Sequence, residues 1–419
     1  MRFHHFRRWI EIEINKKAIT MVCLWYIISL MIDTRKNSLI FASEISGMNK
    51  ASFCKFLKND RGKAVYALED LSKKQARKYS RALESLNSLP WKAAIVIDAT
   101  FQNRASEKTE NSQRFYRGRG YSIGHRWTNI IILFNDSIIP LKPIPFYSRK
   151  YCRDKNIEYK TEHERIVEYF NDFRLEEYIG KHSPKDLVVL ADSGYDDRKI
   201  QKIFISKKWD FVVCLKSTRS VKSSVRAAKT PKSKGWIQID RFFKNQRRLA
   251  WKNVCVPAKG SKKKRKDFRA RHTDGFLRDV DKPVLLVCSE LKKRTGGKRK
   301  YFACTRIDVD PKIVLIAYGF RWRIEVFNKE IKQHFGFQDV AAKSFDSVVS
   351  HVHWVCCAYI LLQARPLGVP ESARTILEKQ RSVAKILQTR EKACFLQLLT
   401  RIGGTESCKN QLKKALMDI

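Results

Sequence analysis

A chain of 419 residues, 43% of them apolar, is long enough to bury two or three cores, so disorder is not the default reading. Its 85 Lys and Arg against 42 Asp and Glu leave a formal net charge of +43 spread along the whole sequence. Solubility needs far less charge than this, so the expected partner is a polyanion, nucleic acid. The eleven cysteines form no Cys-x-x-Cys pair, only Cys356 and Cys357 being adjacent, which argues against a zinc ribbon or a disulfide scaffold and for reduced thiols in a cytosol.

Residues 1 to about 90 read as a helical N-terminal domain, with apolar residues at helix spacing and no alternation of period two. The apolar run Ala18 to Ile32 is short of the ~18 to 20 residues that span a bilayer and contains Thr20 and Ser29, so a buried helix is expected and no membrane partner. Leu39 to Leu57 gives two short amphipathic stretches separated at Ser46-Gly47, a pattern shared by helix-turn-helix elements and plain helical hairpins, and the charge favours DNA binding.

After Pro90 the texture changes. Ala93 to Asp98 is an apolar run of strand length ending on a carboxylate, and His125 to Phe134 and Ile138 to Tyr147 read as a hairpin turning at Asn135-Asp136-Ser137. A charged helical stretch from Thr161 to Tyr178 leads to Leu187 to Asp192, a second buried-type strand ending on a carboxylate. After Ser193-Gly194 and a short helix, Asp210 to Leu215 forms another strand. Strand, hairpin, helix, strand, helix, strand is the order of a ribonuclease H-like α/β domain, here residues 91–345.

Residues 217–311 read as a polar, basic β insertion within that domain. Its strand candidates are Trp236 to Ile239, Leu249 to Val256, Val284 to Cys288 and Tyr301 to Ile307, and the basic run Lys259 to Arg271 is read as a solvated loop or a phosphate grip. Residues 346–419 read as a helical C-terminal region. His351, His353, Cys356 and Cys357 lie close in sequence there, but Val348 to Leu362 is so apolar that a buried core helix explains them better than zinc does.

Asp98 and Asp192 each terminate an apolar strand, where a sheet opens into a cleft. Two such groups close together repel, and a divalent cation that accepts oxygen ligands, Mg2+ or Mn2+, relieves the repulsion. In Tyr318 to Lys332 the polar residues Tyr318, Arg321, Glu325 and Lys332 project within about 60° of one another on a continuous helix. Phe320, Ile324, Phe327, Ile331 and Phe335 fall opposite and bury against the sheet, while Glu330 lies off the polar stripe. Such a helix offers a carboxylate flanked by phosphate-binding cations.

The spacing Tyr-x2-Arg-x3-Glu-x6-Lys at Tyr318, Arg321, Glu325 and Lys332 resembles the signature of the insertion-sequence-four family of bacterial DDE transposases. Ile97-Asp98-Ala99-Thr100 and Ala191 to Tyr195 resemble that family's first and second aspartate motifs. The resemblance covers roughly residues 90–345 and implies a ribonuclease H-like fold with a β insertion. It further implies Asp98, Asp192 and Glu325 as catalytic ligands of two Mg2+ or Mn2+ ions, and Tyr318, Arg321 and Lys332 as DNA contacts. By the same resemblance, Trp236 and Trp251 are the candidate counterparts of the tryptophan that takes an extruded base in some members, although a buried core role is the favoured reading for each. The activity implied is strand cleavage and strand transfer on terminal inverted repeats and target DNA by a homodimer in the bacterial cytoplasm, on the nucleoid. A nuclease of the same fold that cuts without integrating, and a DNA-binding protein with a degenerate site, are the alternatives.

Overall fold

The computed structural model describes the chain apart from residues 1–2, 15–18, 33–37, 82–84, 87–88, 105–107, 117, 119, 136, 225–233, 247, 258–264, 295–297, 367, 403–405, 407–409 and 411–419, and the side chains of 3–4, 38, 294, 390, 394 and 396–402. It divides into two compact units, Met1–Leu71 with Glu330–Ile419, and Ser72–Lys329. The N-terminal and C-terminal helical regions therefore share a unit, and the divisions read in the sequence at 90 and 345 fall at 71 and 329.

The first unit is helical. Its N-terminal part comprises α1 (Phe3–Glu13), α2 (Met21–Ile32), α3 (Ser38–Ser46), α4 (Lys50–Asn59) and the start of α5 (Arg61–Ser80). The apolar run is α2, buried from Cys23 to Met31. Gly47 takes φ +68 between α3 and α4, a left-handed turn that suits glycine, and Asn49 caps α4 by accepting from the Ala51 amide. Phe53, Phe56 and Leu57 of α4 are buried. The helix Phe345–Gln363 is long and apolar enough to cross a membrane, yet nearly all of it is buried within this unit. Tyr26 meets its His351 Nδ1 at 2.6 Å, and the other His351 nitrogen meets the Gly336 carbonyl. Both His351 nitrogens are thus occupied, and burial holds the Cys356 and Cys357 thiols protonated. The helix is a core helix, as expected.

The second unit is built on one sheet. Among the described residues its strands are β1 (Ala93–Asn103), β2 (Gln113–Tyr116), β3 (Tyr121–Phe134), β4 (Ser137–Pro140), β5 (Ile144–Pro145), β6 (Leu187–Ala191), β7 (Asp210–Leu215), β8 (Ser220–Ser223), β9 (Ile237–Gln238), β10 (Lys252–Pro257), β11 (Arg265–Leu277), β12 (Pro283–Leu291) and β13 (Lys300–Cys304). The order is β2-β3-β1-β6-β7-β13-β12-β11-β8-β9, with β4 and β5 also on β3 and β10 on β11. β1 runs antiparallel to β3 and parallel to β6, and β6 parallel to β7. The central strands are unbroken apolar runs because helices cover both faces of a parallel core. α6 (Arg149–Asp154), α7 (Glu162–Asp172), α8 (Glu176–Ile179) and α9 (Arg198–Ser206) fill the connections. A capping box between Thr161 and Glu164 starts α7.

The insertion expected within the α/β domain continues its sheet: β13 pairs antiparallel with β7, so its strands extend the same sheet. Other details differ from expectation. Arg265 to Arg271 of the basic run is not a loop but the first half of β11, with Ala270 and Arg271 buried, while Lys259 to Lys264 lie outside the described residues. Its Arg, Lys and Asp hid this strand: Arg265, Lys266 and Asp267 are exposed, while Arg269 pairs with Glu290 on the neighbouring strand and Arg271 donates to the Phe243 and Gln246 carbonyls. β8 and the short helix α10 (Ile239–Asn245) also went unread, the latter taking Ile239 from the strand expected there.

Candidate active site

The register of β1 and β6 brings the first two carboxylates together. Parallel pairing ends at Ile97↔Ala191, so Asp98 and Asp192 follow on adjacent strands at matched positions. Asp98 does not end its strand. β1 continues to Asn103, paired only with β3, and the sheet opens on the β6 side alone. It opens there because Asp192 turns the chain: its carboxylate accepts from the Gly194 amide at 2.8 Å and caps the short turn Ser193–Tyr195.

The third carboxylate comes from α12 (Trp322–His334), which follows α11 (Pro311–Phe320). The continuous helix expected over Tyr318 to Lys332 is interrupted at Arg321, whose amide bonds to Tyr318 O at 3.1 Å, one residue short of an α-helical step. This tightened turn carries Arg321 inward, where it is 8% exposed. Ile324, Phe327, Ile331 and Phe335 are buried as expected, whereas Phe320, beside the interruption, is only half-buried. Lys332 lies on the part of α12 that belongs to the helical unit and is half-buried, and Glu330 accepts from Tyr359 there.

Arg321 is the common counter-ion of the site. Its guanidinium pairs with Glu325 and lies 3.7 Å from Asp98 Oδ1. Burial opposes the charge on Arg321, but Tyr318, Asp98, Glu325 and Asp192 outweigh it and raise its pKa. Asp98 is pushed up to about 6, chiefly by burial. Arg321 pulls it down, and Asp192 and Glu325 push it up. Tyr318 lies with its ring 5.7 Å from the Arg321 guanidinium, and burial raises its hydroxyl.

Asn328 and Glu162, neither of them expected at the site, complete the surroundings. Asn328 donates to Asp98 Oδ2 at 3.4 Å and accepts from Asn129 at 2.7 Å, tying α12 to β3. Its position three residues after Glu325 and seven after Arg321 was the available signal. Glu162, at the start of α7, accepts from Tyr195 at 3.0 Å and Thr128 at 2.8 Å and pairs with Arg126 at 2.6 Å. It thereby fixes the turn behind Asp192. Nothing in the sequence connects residue 162 to that turn.

Trp236 and Trp251 are half-buried rather than core residues. Lys222 approaches the Trp236 ring at 5.8 Å. Trp251 is surrounded by Arg269 at 4.8 Å, Arg271 at 4.7 Å and Arg299 at 5.7 Å, and the buried Glu290 pairs with Arg269 and Arg299.

Asp98, Asp192 and Glu325 offer only carboxylate oxygen, the donor that Mg2+ and Mn2+ prefer. Among the described residues no three His, Cys, Asp or Glu side chains are grouped so as to hold a metal ion, and the three carboxylates instead share Arg321. The donor chemistry fits a divalent ion, which would also favour the ionised form of Asp98 that burial, and to a lesser degree Asp192 and Glu325, oppose.

Residues 168–361, just under half of the chain, match the family described as the transposase DDE domain. The match contains Asp192, Tyr318, Arg321, Glu325 and Lys332, and begins beyond Asp98. No curated protein matches the chain.

Proposed function

We propose that the chain is a cut-and-paste DNA transposase of the insertion-sequence-four type, with Asp98, Asp192 and Glu325 as its catalytic carboxylates. The observation that carries this reading is their shared dependence on Arg321 within a stretch similar to a transposase DDE domain. The order of β4 and β5, β3, β1, β6 and β7 supports a ribonuclease H-like core.

Asp98, Asp192 and Glu325 would hold one or two Mg2+ or Mn2+ ions, which supply Lewis acidity and lower the pKa of water or a 3′-hydroxyl at the scissile phosphate. The chain's own residues do the rest. Asn328 and the Gly194 amide orient the Asp98 and Asp192 carboxylates. Arg321, released from Asp98 and Glu325, binds the phosphate as a fork, and Lys332 adds a point charge further along α12. Tyr318 hydrogen-bonds or stacks at the DNA end. Trp236 is the better candidate than Trp251 for receiving a base, since three guanidiniums already crowd Trp251. Terminal inverted repeats and target DNA are the substrates, a homodimer on DNA is the working form, and the bacterial cytoplasm is the location.

The test is cleavage and joining of duplex DNA carrying the inverted repeats that flank the gene. Alanine at Asp98, Asp192 or Glu325 is expected to abolish both reactions in Mg2+ while DNA binding persists. Cleavage that survives the Glu325 change and added chelator refutes the assignment.

A further inference from the structure

The β2–β3 hairpin ends in an exposed aromatic pair that the catalytic reading leaves unused. Tyr116 and Tyr121 are directly opposite in the register, their ring centroids are 5.5 Å apart, and they are 66% and 73% exposed. A cross-strand aromatic pair contributes to hairpin stability, but that role does not require most of each ring to face solvent. The opposite face of the hairpin is the one that packs, with Phe115 against Phe101 at 4.8 Å and Phe146 at 6.3 Å.

The orientation of the pair follows from the register. Side chains alternate along a strand, and directly paired residues share a face. Tyr121 lies eight residues before Asn129 on β3, an even separation, and Asn129 is paired with Asp98. Tyr121 and its partner Tyr116 therefore sit on the sheet face that carries Asp98. At ~3.3 Å per residue the pair is about 26 Å along β3 from Asn129. That is too far to touch a reacting phosphate and close enough to hold the same DNA strand. Arg114, two residues before Tyr116 and exposed, shares this face. A cationic group on the same face as two presented rings matches a strand of unpaired nucleotides, whose phosphates take the charge and whose bases offer π-faces.

We propose that Tyr116 and Tyr121 form a stacking contact for unpaired bases of the DNA strand that leads to the catalytic face. This rests on the transposase reading, and its test can fail separately. The probes are fluorescein-labelled 30-nucleotide oligo(dT) and a 30-base-pair duplex of arbitrary sequence. Wild type is compared with the Tyr116→Ala/Tyr121→Ala chain, whose thermal unfolding is measured alongside. The doubly substituted chain is expected to melt within about 4 °C of wild type and to bind oligo(dT) on the order of tenfold more weakly, with an unchanged dependence on salt, because stacking releases no counterions. Its duplex affinity is expected to stay within twofold. Arg114→Ala is expected to lower the salt slope by about one. Oligo(dT) affinity within twofold of wild type overturns the inference, and so does an equal loss on both probes, which would indicate a groove contact. Either result leaves the catalytic reading standing. A wild-type chain that binds neither probe sinks the DNA reading itself.

Discussion

Replacing Asp98 by Asn should stabilise the protein while destroying its activity. The carboxyl of Asp98 is raised from 3.8 to about 6 in the folded chain, with burial as the largest cause. Each pH unit of such a shift corresponds to about 1.4 kcal/mol, so the ionised group costs the metal-free fold about 3 kcal/mol at neutral pH. The sign follows from proton binding. Because the folded pKa is the higher one, the cost is absent below about pH 3.8, grows between 3.8 and about 6, and is constant above that. Asn has the same shape and no charge. Allowing about 1 kcal/mol for rearranged hydrogen bonds at either pH, the Asn chain should be about 2 kcal/mol more stable at pH 7.5 and about 1 kcal/mol less stable at pH 3.5. The assay is denaturant unfolding of both chains in chelator across that range. Mg2+ or Mn2+ should stabilise wild type and leave Asp98→Asn unmoved. If the two chains differ equally at pH 3.5 and 7.5, or if the Asn chain is the less stable at pH 7.5, the account of Asp98 as a costly buried charge is wrong.

Arg321→Ala should slow single-turnover cleavage of pre-bound DNA on the order of 10²-fold. A charge removal at Lys262 to Lys264 should only weaken binding and lower its salt slope, and equal cleavage rates in the two variants would reduce Arg321 to one more surface cation. Gly194→Ala should impair cleavage with DNA affinity kept, because a Cβ there would meet Asp192 Oδ1 at 2.9 Å and push the carboxylate from its place. Wild-type cleavage by this variant would show that the turn does not set the position of Asp192.

Much of this protein is local in origin and therefore legible along the chain. The buried strands announced themselves as unbroken apolar runs, Ile95 to Ile97 and Leu187 to Leu190, because strands buried on both faces favour apolar side chains throughout. The helix periodicity of Tyr318 to Phe335 marked Arg321 and Glu325 for the same reason: one face must bury while the other carries the polar groups. What the chain order could not contain is pairing between distant segments. That β1 outruns β6 and continues beyond Asp98 depends on the turn that Asp192 caps ninety-odd residues later. That Arg269 and Arg271 lie within a strand depends on Glu290 pairing with the first and Trp251 stacking near both. The roles of Asn328 and Glu162 likewise arise only where α12 meets β3 and α7 meets the turn at Tyr195. A hydrogen bond or ion pair has meaning only between two groups in space, and the sequence holds just one of them at a time.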